Sequence, residues 1–150
     1  MEKINEMEIK FKAISQNESF ARAVVSGFCI NTGLTVDELT DIKTAVSEAV
    51  TNSVVHAYPN KNGYIYMKVE LYKSYINIEI KDDGVGIENI QKAREPFFTT
   101  KPNEDRSGMG FTVMESFMDS LEILKNTDKG LVVKMKKFIK NDSVVLSETV

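Results

Sequence analysis

The fold of this chain is decided by the stretch Ser47-Glu48-Ala49-Val50-Thr51-Asn52-Ser53-Val54-Val55-His56-Ala57. At 3.6 residues per turn it predicts the end of a helix that carries Glu48, Asn52 and His56 on one stripe. A neighbouring stripe is mostly apolar and predicts the buried face. A carboxylate can accept a proton, and an amide oxygen can bind Mg²⁺. Taken alone, the stripe is more typical of a solvated polar face, so its chemistry depends on the rest of the chain.

The composition is that of one globular domain. The chain has 150 residues, of which 42% are hydrophobic and 27% charged, and we expect one domain over 1–150 with a frayed tail at about 139–150. A net charge of −3 argues against general nucleic-acid binding. The chain has neither a signal-peptide pattern nor an apolar run of membrane length. The single cysteine, Cys29, cannot form an intramolecular disulfide and suits a reducing cytoplasm, where we expect a buried hydrophobe.

The first elements are predicted from their periods. Met7–Ala13 alternates apolar and polar residues, which predicts a half-buried strand. Its terminal position suggests that it forms an edge of the sheet. Specific pairing of this edge with a symmetric partner is left as an alternative. Asn17 is expected to cap a helix that runs to about Asn31. The apolar stripe of that helix is predicted to be Phe20, Val24 and Phe28, with Ala21 and Val25 beside them.

The long helix begins at a capping box, Thr35-x-x-Glu38, and is ended by Tyr58–Gly63. A hairpin follows, with Lys73-Ser74 as its turn. The later elements are predicted as a short helix at Glu88–Arg94, a helix at Phe111–Met118, and strands at Leu121–Lys125 and Leu131–Phe138. This order is not an alternating βαβ pattern. It predicts an α/β two-layer sandwich, with a mixed, mostly antiparallel sheet and helices on one face.

Two glycine pairs and one aspartate indicate where a ligand binds. Gly84-x-Gly86 follows a strand, and Gly108-x-Gly110 precedes a helix. Glycines let backbone amides approach phosphate oxygens, and a helix N-terminus favours anions. Asp82 ends the strand before Gly84, where a carboxylate can accept a hydrogen bond from the N6 amino group of adenine. Tight turns are the alternative interpretation of each feature.

The common nucleotide motifs are missing. Neither the G-x-x-x-x-G-K-[ST] phosphate loop nor a Rossmann G-x-G-x-x-G after a first strand occurs. The segment Pro96–Gly110 has no clear period, and a loop of this length in a small domain is usually functional.

A family resemblance emerges from the order of these motifs. They are Glu48-x-x-x-Asn52, Asp82-x-Gly84-x-Gly86 and Gly108-x-Gly110. The set resembles the Bergerat-type ATP-binding fold of DNA gyrase B, the Hsp90 chaperones, histidine kinases and MutL, over roughly residues 35 to 138. The segments 47–58, 96–102 and 104–111 further resemble the small anti-sigma-factor kinases of endospore-forming bacteria.

The resemblance implies a role for each matching residue. Asn52 would supply its oxygen to Mg²⁺, Asp82 would read adenine, and Gly84 with Gly86 would shape the pocket floor. Pro96–Arg106 would form the ATP lid. Around the phosphates it implies the ATP-binding residues Thr99, Lys101, Arg106, Ser107, Gly108, Met109 and Gly110. Among these, Arg106 is the first candidate for the γ-phosphate and Lys101 the second.

Glu48 is the implied general base, which would take the proton of a serine hydroxyl on a partner protein. In the ATPases of the superfamily the matching glutamate activates water, so geometry decides between the two. His56 is not expected to accept phosphate, since the separate helical domain that carries such a histidine is missing. Relatives often have Gly-Thr in the late strand, whereas here Gly130 is followed by Leu131. The adenine pocket is therefore expected to rely on Asp82 and water.

The function implied by the resemblance combines two tasks that use ATP and Mg²⁺. The protein would bind and inhibit a sporulation sigma factor of RNA polymerase, and it would phosphorylate an anti-anti-sigma protein on serine. A homodimer is implied, with the N-terminal strand and first helix near the shared surface. Arg22 is either a solvated arginine or a contact to a protein partner. The alternatives are a stress-response anti-sigma kinase, a nucleotide-gated binding module without turnover, and the ATPase lobe of a two-component kinase.

Overall fold

The computed structural model of the chain describes residues 2–59, 62–95 and 110–140. In chain order the elements are β1 (Lys3–Lys12), α1 (Gln16–Cys29), α2 (Val36–Asn52), a π-helical turn (Ser53–Ala57), β2 (Tyr64–Tyr72), β3 (Tyr75–Asp82), α3 (Ile90–Ala93), α4 (Gly110–Phe117), β4 (Ser120–Lys125) and β5 (Leu131–Phe138). This is the predicted order of strand, two helices, hairpin, helix and hairpin.

The strands form one sheet in the order β1-β2-β3-β5-β4. Each neighbouring pair is antiparallel, so the described sheet is more uniform than the mixed sheet that was expected. Lys73 and Ser74 make the predicted hairpin turn between β2 and β3. The predicted α/β two-layer sandwich is confirmed.

The core lies between the sheet and the helices on one of its faces. Alternate residues of β2 and β3 are buried, from Ile65 to Leu71 and from Ile76 to Ile80. They pack against the buried faces of α1, α2 and α4. Complete burial of such a side chain stabilises the fold by about 1.5–3 kcal/mol. The alternate buried side chains of the hairpin and the buried face of α2 therefore pack together in one apolar layer.

The opposite face of the sheet carries charges in register. One row crosses the five strands as Glu8, Lys68, Glu79, Lys134 and Glu122, each residue lying opposite the next. Opposite charges at facing positions stabilise a strand pair by a few tenths of a kcal/mol, up to about 1 kcal/mol. The row therefore favours the observed register.

Helix α1 differs from the prediction in its buried stripe. Ala21 and Val25 are 0% exposed, whereas Phe20 is 49% exposed. The helix is thus turned by about one residue from the predicted orientation, or roughly 100°. Small Ala21 lets α1 approach its neighbours closely, and the Phe20 ring instead meets the edge of Phe11 at 6.1 Å between centroids.

The predicted cap of α1 was also wrong. The helix begins at Gln16, and the Asn17 side chain does not cap it. Its Nδ2 donates to the Lys12 carbonyl oxygen at 2.9 Å instead, which secures the turn after β1. Cys29 is buried, as expected, and burial raises the pKa of its thiol to about 12. Within the described ranges, no helix is both long and apolar enough to cross a membrane.

The predicted capping box is confirmed. The Thr35 hydroxyl accepts from the Glu38 amide at 3.1 Å, and the Glu38 carboxylate accepts from the Thr35 amide at 2.9 Å. Helix α2 therefore begins where expected. Its buried residues are Ile42, Ala45, Val46, Ala49 and Val50.

Three segments that follow β3 differ in detail from the prediction. Helix α3 is shorter than predicted, because Asn89 caps it by accepting from the Lys92 amide at 3.0 Å. Helix α4 buries Phe111 and Met114, whereas Phe117 is 37% exposed. Ile139, expected in the frayed tail, is buried and donates its amide to the Ser74 carbonyl oxygen. Residues 141–150 lie outside the described residues.

Candidate functional site

Asp82 is a buried carboxylate at the end of β3, only 2% exposed. Its Oδ1 accepts from the amides of Gly84 at 3.0 Å and Leu131 at 3.2 Å. Its Oδ2 accepts from the Ser53 hydroxyl at 3.0 Å. Each carboxylate oxygen can accept two hydrogen bonds. Oδ2 therefore keeps capacity for a further donor, such as an amino group.

The electrostatics of Asp82 follow from its burial. Loss of hydration raises the pKa of the carboxyl above its ordinary value, and the bonds from Gly84, Ser53 and Leu131 oppose that rise. Leu131 has no side-chain hydroxyl, but its backbone amide reaches the carboxylate. The hydroxyl at Asp82 comes from Ser53, a contact that was not predicted.

A π-helical turn brings Ser53 to this position. Helix α2 ends at Asn52, and Ser53–Ala57 continue it as a wider turn. Such π-turns occur frequently at functional sites. The wider turn also ends the 3.6-residue spacing, so His56 cannot be placed on the Glu48–Asn52 stripe by counting. The signal in the sequence was a serine within an otherwise apolar stripe.

The segment after Asp82 packs closely against the π-turn. The Val85 amide donates to the Ala57 carbonyl oxygen at 2.8 Å. A Cβ on Gly84 would overlap the same carbonyl group. Glycine at this position therefore lets the two chain segments touch, and its place in the pocket floor stays a prediction.

Gly130 closes the site from β5. Its φ is +103°, and a Cβ there would overlap the carbonyl oxygen of Asp82. We expect Gly130→Ala to lower the free energy of unfolding by about 2–4 kcal/mol, through backbone strain and steric overlap. Urea denaturation would measure the loss.

Gly27→Ala is the matched control, because a Cβ on Gly27 in α1 meets no atom within 4 Å. It should raise the free energy of unfolding by about 0.5–1 kcal/mol through helix propensity. Equal effects of the two substitutions would contradict the strain assigned to Gly130.

Asn126 and Tyr58 secure the end of β3. Asn126 Nδ2 donates to the Asp82 carbonyl oxygen at 2.9 Å and to Asp83 Oδ1 at 3.0 Å. The Tyr58 hydroxyl accepts from the Asp83 amide at 2.8 Å and donates to the Tyr64 carbonyl oxygen at 2.7 Å. Neither residue was predicted for the site. Each holds the backbone of Asp82 and Asp83 in place rather than contacting the space beside Oδ2.

Asn52 lies beside the first residue of α4. A Cβ on Gly110 would stand 2.9 Å from Asn52 Nδ2 and 3.0 Å from its Oδ1. Glu48 lies one turn earlier on α2 and is half-buried. The fold thus brings the predicted amide to the N-terminus of α4, where the first amides lack intrahelical partners.

The donor set suits Mg²⁺ in a nucleotide complex better than a closed protein site. Among the described residues, no group of three or more histidine, cysteine, aspartate or glutamate side chains could hold a metal. Mg²⁺ usually takes few protein ligands and completes its shell with phosphates and water. The oxygen of Asn52 is a suitable single ligand of this kind.

Six predicted ATP-binding residues lie outside the described residues: Thr99, Lys101, Arg106, Ser107, Gly108 and Met109. They remain predictions, as does the lid at Pro96–Arg106. The chain before that segment is anchored on α4 and β4. Arg94 pairs with Glu115 at 3.1 Å and donates to the Leu121 carbonyl oxygen at 3.5 Å.

Arg22 is held by neighbouring side chains. Its Nε lies 2.6 Å from Glu18 Oε2, and the Ser47 hydroxyl donates to the same oxygen. The arginine side chain is 42% exposed. This network joins α1 to α2 immediately before Glu48 and leaves the arginine side chain partly exposed.

Comparison with known proteins identifies relatives of this arrangement. Residues 12–137 match the family model of the histidine kinase-like ATPase domain. The chain is 53% identical over 136 residues to the anti-sigma F factor of Geobacillus sp. (strain WCH70), covering 90% of this chain and 93% of the relative. It is 52% identical over 139 residues to the anti-sigma F factor of Caldanaerobacter subterraneus subsp. tengcongensis, covering 93% and 97%.

Solved structures share the fold at much lower identity. The crystal structure of the RsbU and RsbW domains of a Mycobacterium tuberculosis protein has a TM-score of 0.64 at 16% identity, over 90% of this chain and 32% of that one. The catalytic domain of histidine kinase ThkA has a TM-score of 0.56 at 18% identity, over 90% and 98%. The sheet and helices that frame Asp82 are thus those of a known ATPase architecture. With matches over most of its length, the chain belongs to the family of anti-sigma F factors, within the histidine kinase-like ATPase domains.

Proposed function

We propose that this protein is an ATP-dependent serine kinase that also binds and inhibits a sporulation sigma factor of RNA polymerase. The observation that carries the nucleotide part is Asp82, a buried carboxylate whose Oδ2 has capacity for one more donor. The relationship to anti-sigma F factors at about half identity supports the sigma-factor part.

Adenine suits the site at Asp82. Its N6 amino group would donate to Oδ2, while Gly84 and Leu131 hold Oδ1 and Ser53 fixes the orientation. Guanine has a carbonyl oxygen at the corresponding position, and two facing acceptors repel. The site would therefore select ATP over GTP by one hydrogen bond to a charged acceptor, which contributes about 1.5–3 kcal/mol.

The phosphates would extend toward Asn52 and the N-terminus of α4. Mg²⁺ bound by the Asn52 oxygen and the phosphates would supply charge neutralisation. The amides of Gly108, Met109 and Gly110 would donate to phosphate oxygens, with Thr99 and Ser107 nearby. Arg106, or secondarily Lys101, would neutralise charge on the γ-phosphate.

The transfer step needs a base for the acceptor hydroxyl. Glu48 would take the proton of a serine hydroxyl on the partner protein. The hydroxyl oxygen of that serine would form a bond to the γ-phosphorus. The bond from that phosphorus to the bridging oxygen breaks, and ADP leaves. The position of Glu48 one turn before Asn52 supports this assignment.

The partners follow from the same family. The phosphorylated protein would be an anti-anti-sigma protein, and the kinase would act as a homodimer in the cytoplasm, without nucleic acid or membrane as a partner. β1 and α1 would lie near the dimer surface. Arg22, paired with Glu18 and partly exposed, would contact a protein partner.

The test is phosphate transfer from radiolabelled ATP in the presence of Mg²⁺ and a candidate anti-anti-sigma protein. Label on a serine of the partner is the expected result. Free phosphate in the absence of a partner would instead indicate an ATPase, and label on this chain would indicate autophosphorylation. Tight nucleotide binding with no transfer to any partner would favour a nucleotide-gated binding module. A partner protein with its acceptor serine replaced by alanine is the control.

A further inference from the structure

One buried lysine has no part in the proposed reaction. Lys137 lies on the inner face of β5, where Val133, Met135 and Ile139 are buried and apolar. It is itself only 8% exposed. A buried ammonium group costs free energy unless it is paired and hydrogen-bonded, so its partners explain why it is there.

The partners of Lys137 join three elements. Its Nζ lies 3.0 Å from Asp41 Oδ2 on α2, and it donates to the Phe117 carbonyl oxygen at 2.6 Å. Phe117 is the last residue of α4. The final carbonyls of a helix lack intrahelical partners, and a cation there complements the helix dipole. The C-terminus of α4 is thus tied through Lys137 to α2 and β5.

The other end of α4 faces the proposed phosphate site. Gly110, its first residue, lies against the Asn52 amide group. The helix has 8 residues, so it is about 12 Å long, and a tilt of about 10° at Phe117 would move Gly110 by about 2 Å. Displacements of about 1 Å in a reacting geometry can reduce rates about 100-fold. The anchor at Phe117 therefore acts together with the buried Phe111 and Met114 to set where the first amides of α4 point.

We propose that Lys137 is a positioning residue for the nucleotide phosphates, because it fixes the C-terminus of α4 and with it the direction of the helix. This inference rests on the proposed function, in which the first amides of α4 bind phosphate. The adenine contact is independent of α4. It is built from the π-turn, the end of β3 and the beginning of β5, through Ser53, Asp82 and Leu131.

The experiment compares two ligands on the full chain, adenosine and MgATP, by titration calorimetry. Lys137→Met fills the same space without a donor to Phe117. It is expected to raise the dissociation constant of MgATP about 10- to 30-fold and that of adenosine less than about twofold. Asp41→Asn keeps an acceptor oxygen but loses its charge. This variant should raise the dissociation constant of MgATP about threefold and leave the dissociation constant of adenosine unchanged.

Val69→Ala is the control for lost stability, because Val69 is fully buried in β2, away from α4. It should leave both dissociation constants within about twofold. Equal weakening of both ligands by Lys137→Met, or no change in either, would overturn the positioning role. Should Lys137→Met not fold, Asp41→Asn decides by the same comparison. A wild-type protein that binds MgATP no better than adenosine would instead refute the proposed phosphate site, whatever the variants do.

Discussion

Replacing Asp82 by asparagine is expected to weaken ATP binding about 10- to 100-fold, while the fold at neutral pH stays as stable or becomes more stable. The two amides of Gly84 and Leu131 both donate to Oδ1. The oxygen of the asparagine must take that position, so its amino group replaces Oδ2. A donor would then face the N6 amino group of adenine, and the hydrogen bond would be replaced by repulsion.

The same substitution should change the preference between bases. Its amino group can donate to the carbonyl oxygen of guanine, so the ratio of GTP to ATP affinity should rise above that of the wild type. Titration calorimetry with both nucleotides measures this ratio. Asp83→Asn is the control, because Asp83 is exposed and its carboxylate accepts from Asn126 instead. An ATP affinity that Asp82→Asn leaves unchanged would remove Asp82 from the adenine contact.

The stability of this variant follows from the pKa of Asp82. Burial raises the pKa of the carboxyl in the native state above the ordinary value of 3.8 that holds in the unfolded chain. Between these two values the native state binds more protons, so the free energy of unfolding falls as the pH rises. Above the native pKa the buried carboxylate lowers stability by a constant amount. The asparagine lacks this titration, and the Ser53 hydroxyl can turn to accept from its amino group.

The free energy of unfolding of Asp82→Asn, relative to the wild type, should therefore increase as the pH rises from 3.8 toward the raised native pKa of the carboxyl, and stay level above it. Urea denaturation across this range checks the sign. A variant that instead loses stability steadily as the pH rises would show that the carboxylate is stabilised in the native state. If replacing Asp82 weakens ATP binding but does not destabilise the fold, the carboxylate is retained for function and not for stability.

The elements with a local pattern were predicted well. The capping box at Thr35 and Glu38 and the alternation in β2 and β3 depend on neighbours in the chain, and both are present. The buried stripe of α1 was predicted only in part, since Val24 and Phe28 pack against the core but Phe20 is exposed. Phe20 and Ala21 lie side by side on the helix, and only the distance to α2 and the sheet decides which one faces inward. The large apolar side chain of Phe20 led to its prediction as a buried residue, whereas close packing in the structure buries the small Ala21 instead.

The site shows the same division between local and tertiary information. Asp82 and Asn52 stand in motifs, and the fold places Asp82 beside Gly84 and Asn52 beside Gly110. Ser53 was predicted only as part of an inner face, because a π-turn has no repeating signal in a sequence. Asn126 lies 44 residues from Asp82, in a turn with no motif. Contacts of this kind follow from the pairing of β4 with β5 and could not be predicted from spacing.

Replacing Glu48 by glutamine should lower the turnover number for phosphate transfer to the partner serine by about 100- to 10,000-fold, the contribution of a general base. Glutamine keeps the length and shape of the side chain but cannot take a proton. The dissociation constant of MgATP should stay within about twofold, since the adenine and Mg²⁺ contacts are assigned to Asp82 and Asn52. A fall in the turnover number without a change in binding marks an interaction made in the transition state.

Single-turnover transfer of labelled phosphate, with MgATP affinity measured in parallel, separates these two quantities. Glu122→Gln is the control, because Glu122 is exposed in β4 on the far face of the sheet, and its transfer rate should equal that of the wild type. A Glu48→Gln variant that transfers at the full rate would refute the general base. Loss of MgATP binding together with transfer would move Glu48 to the nucleotide site instead. Because the variant should bind nucleotide without turnover, it also shows whether sigma-factor binding needs ATP itself or its hydrolysis.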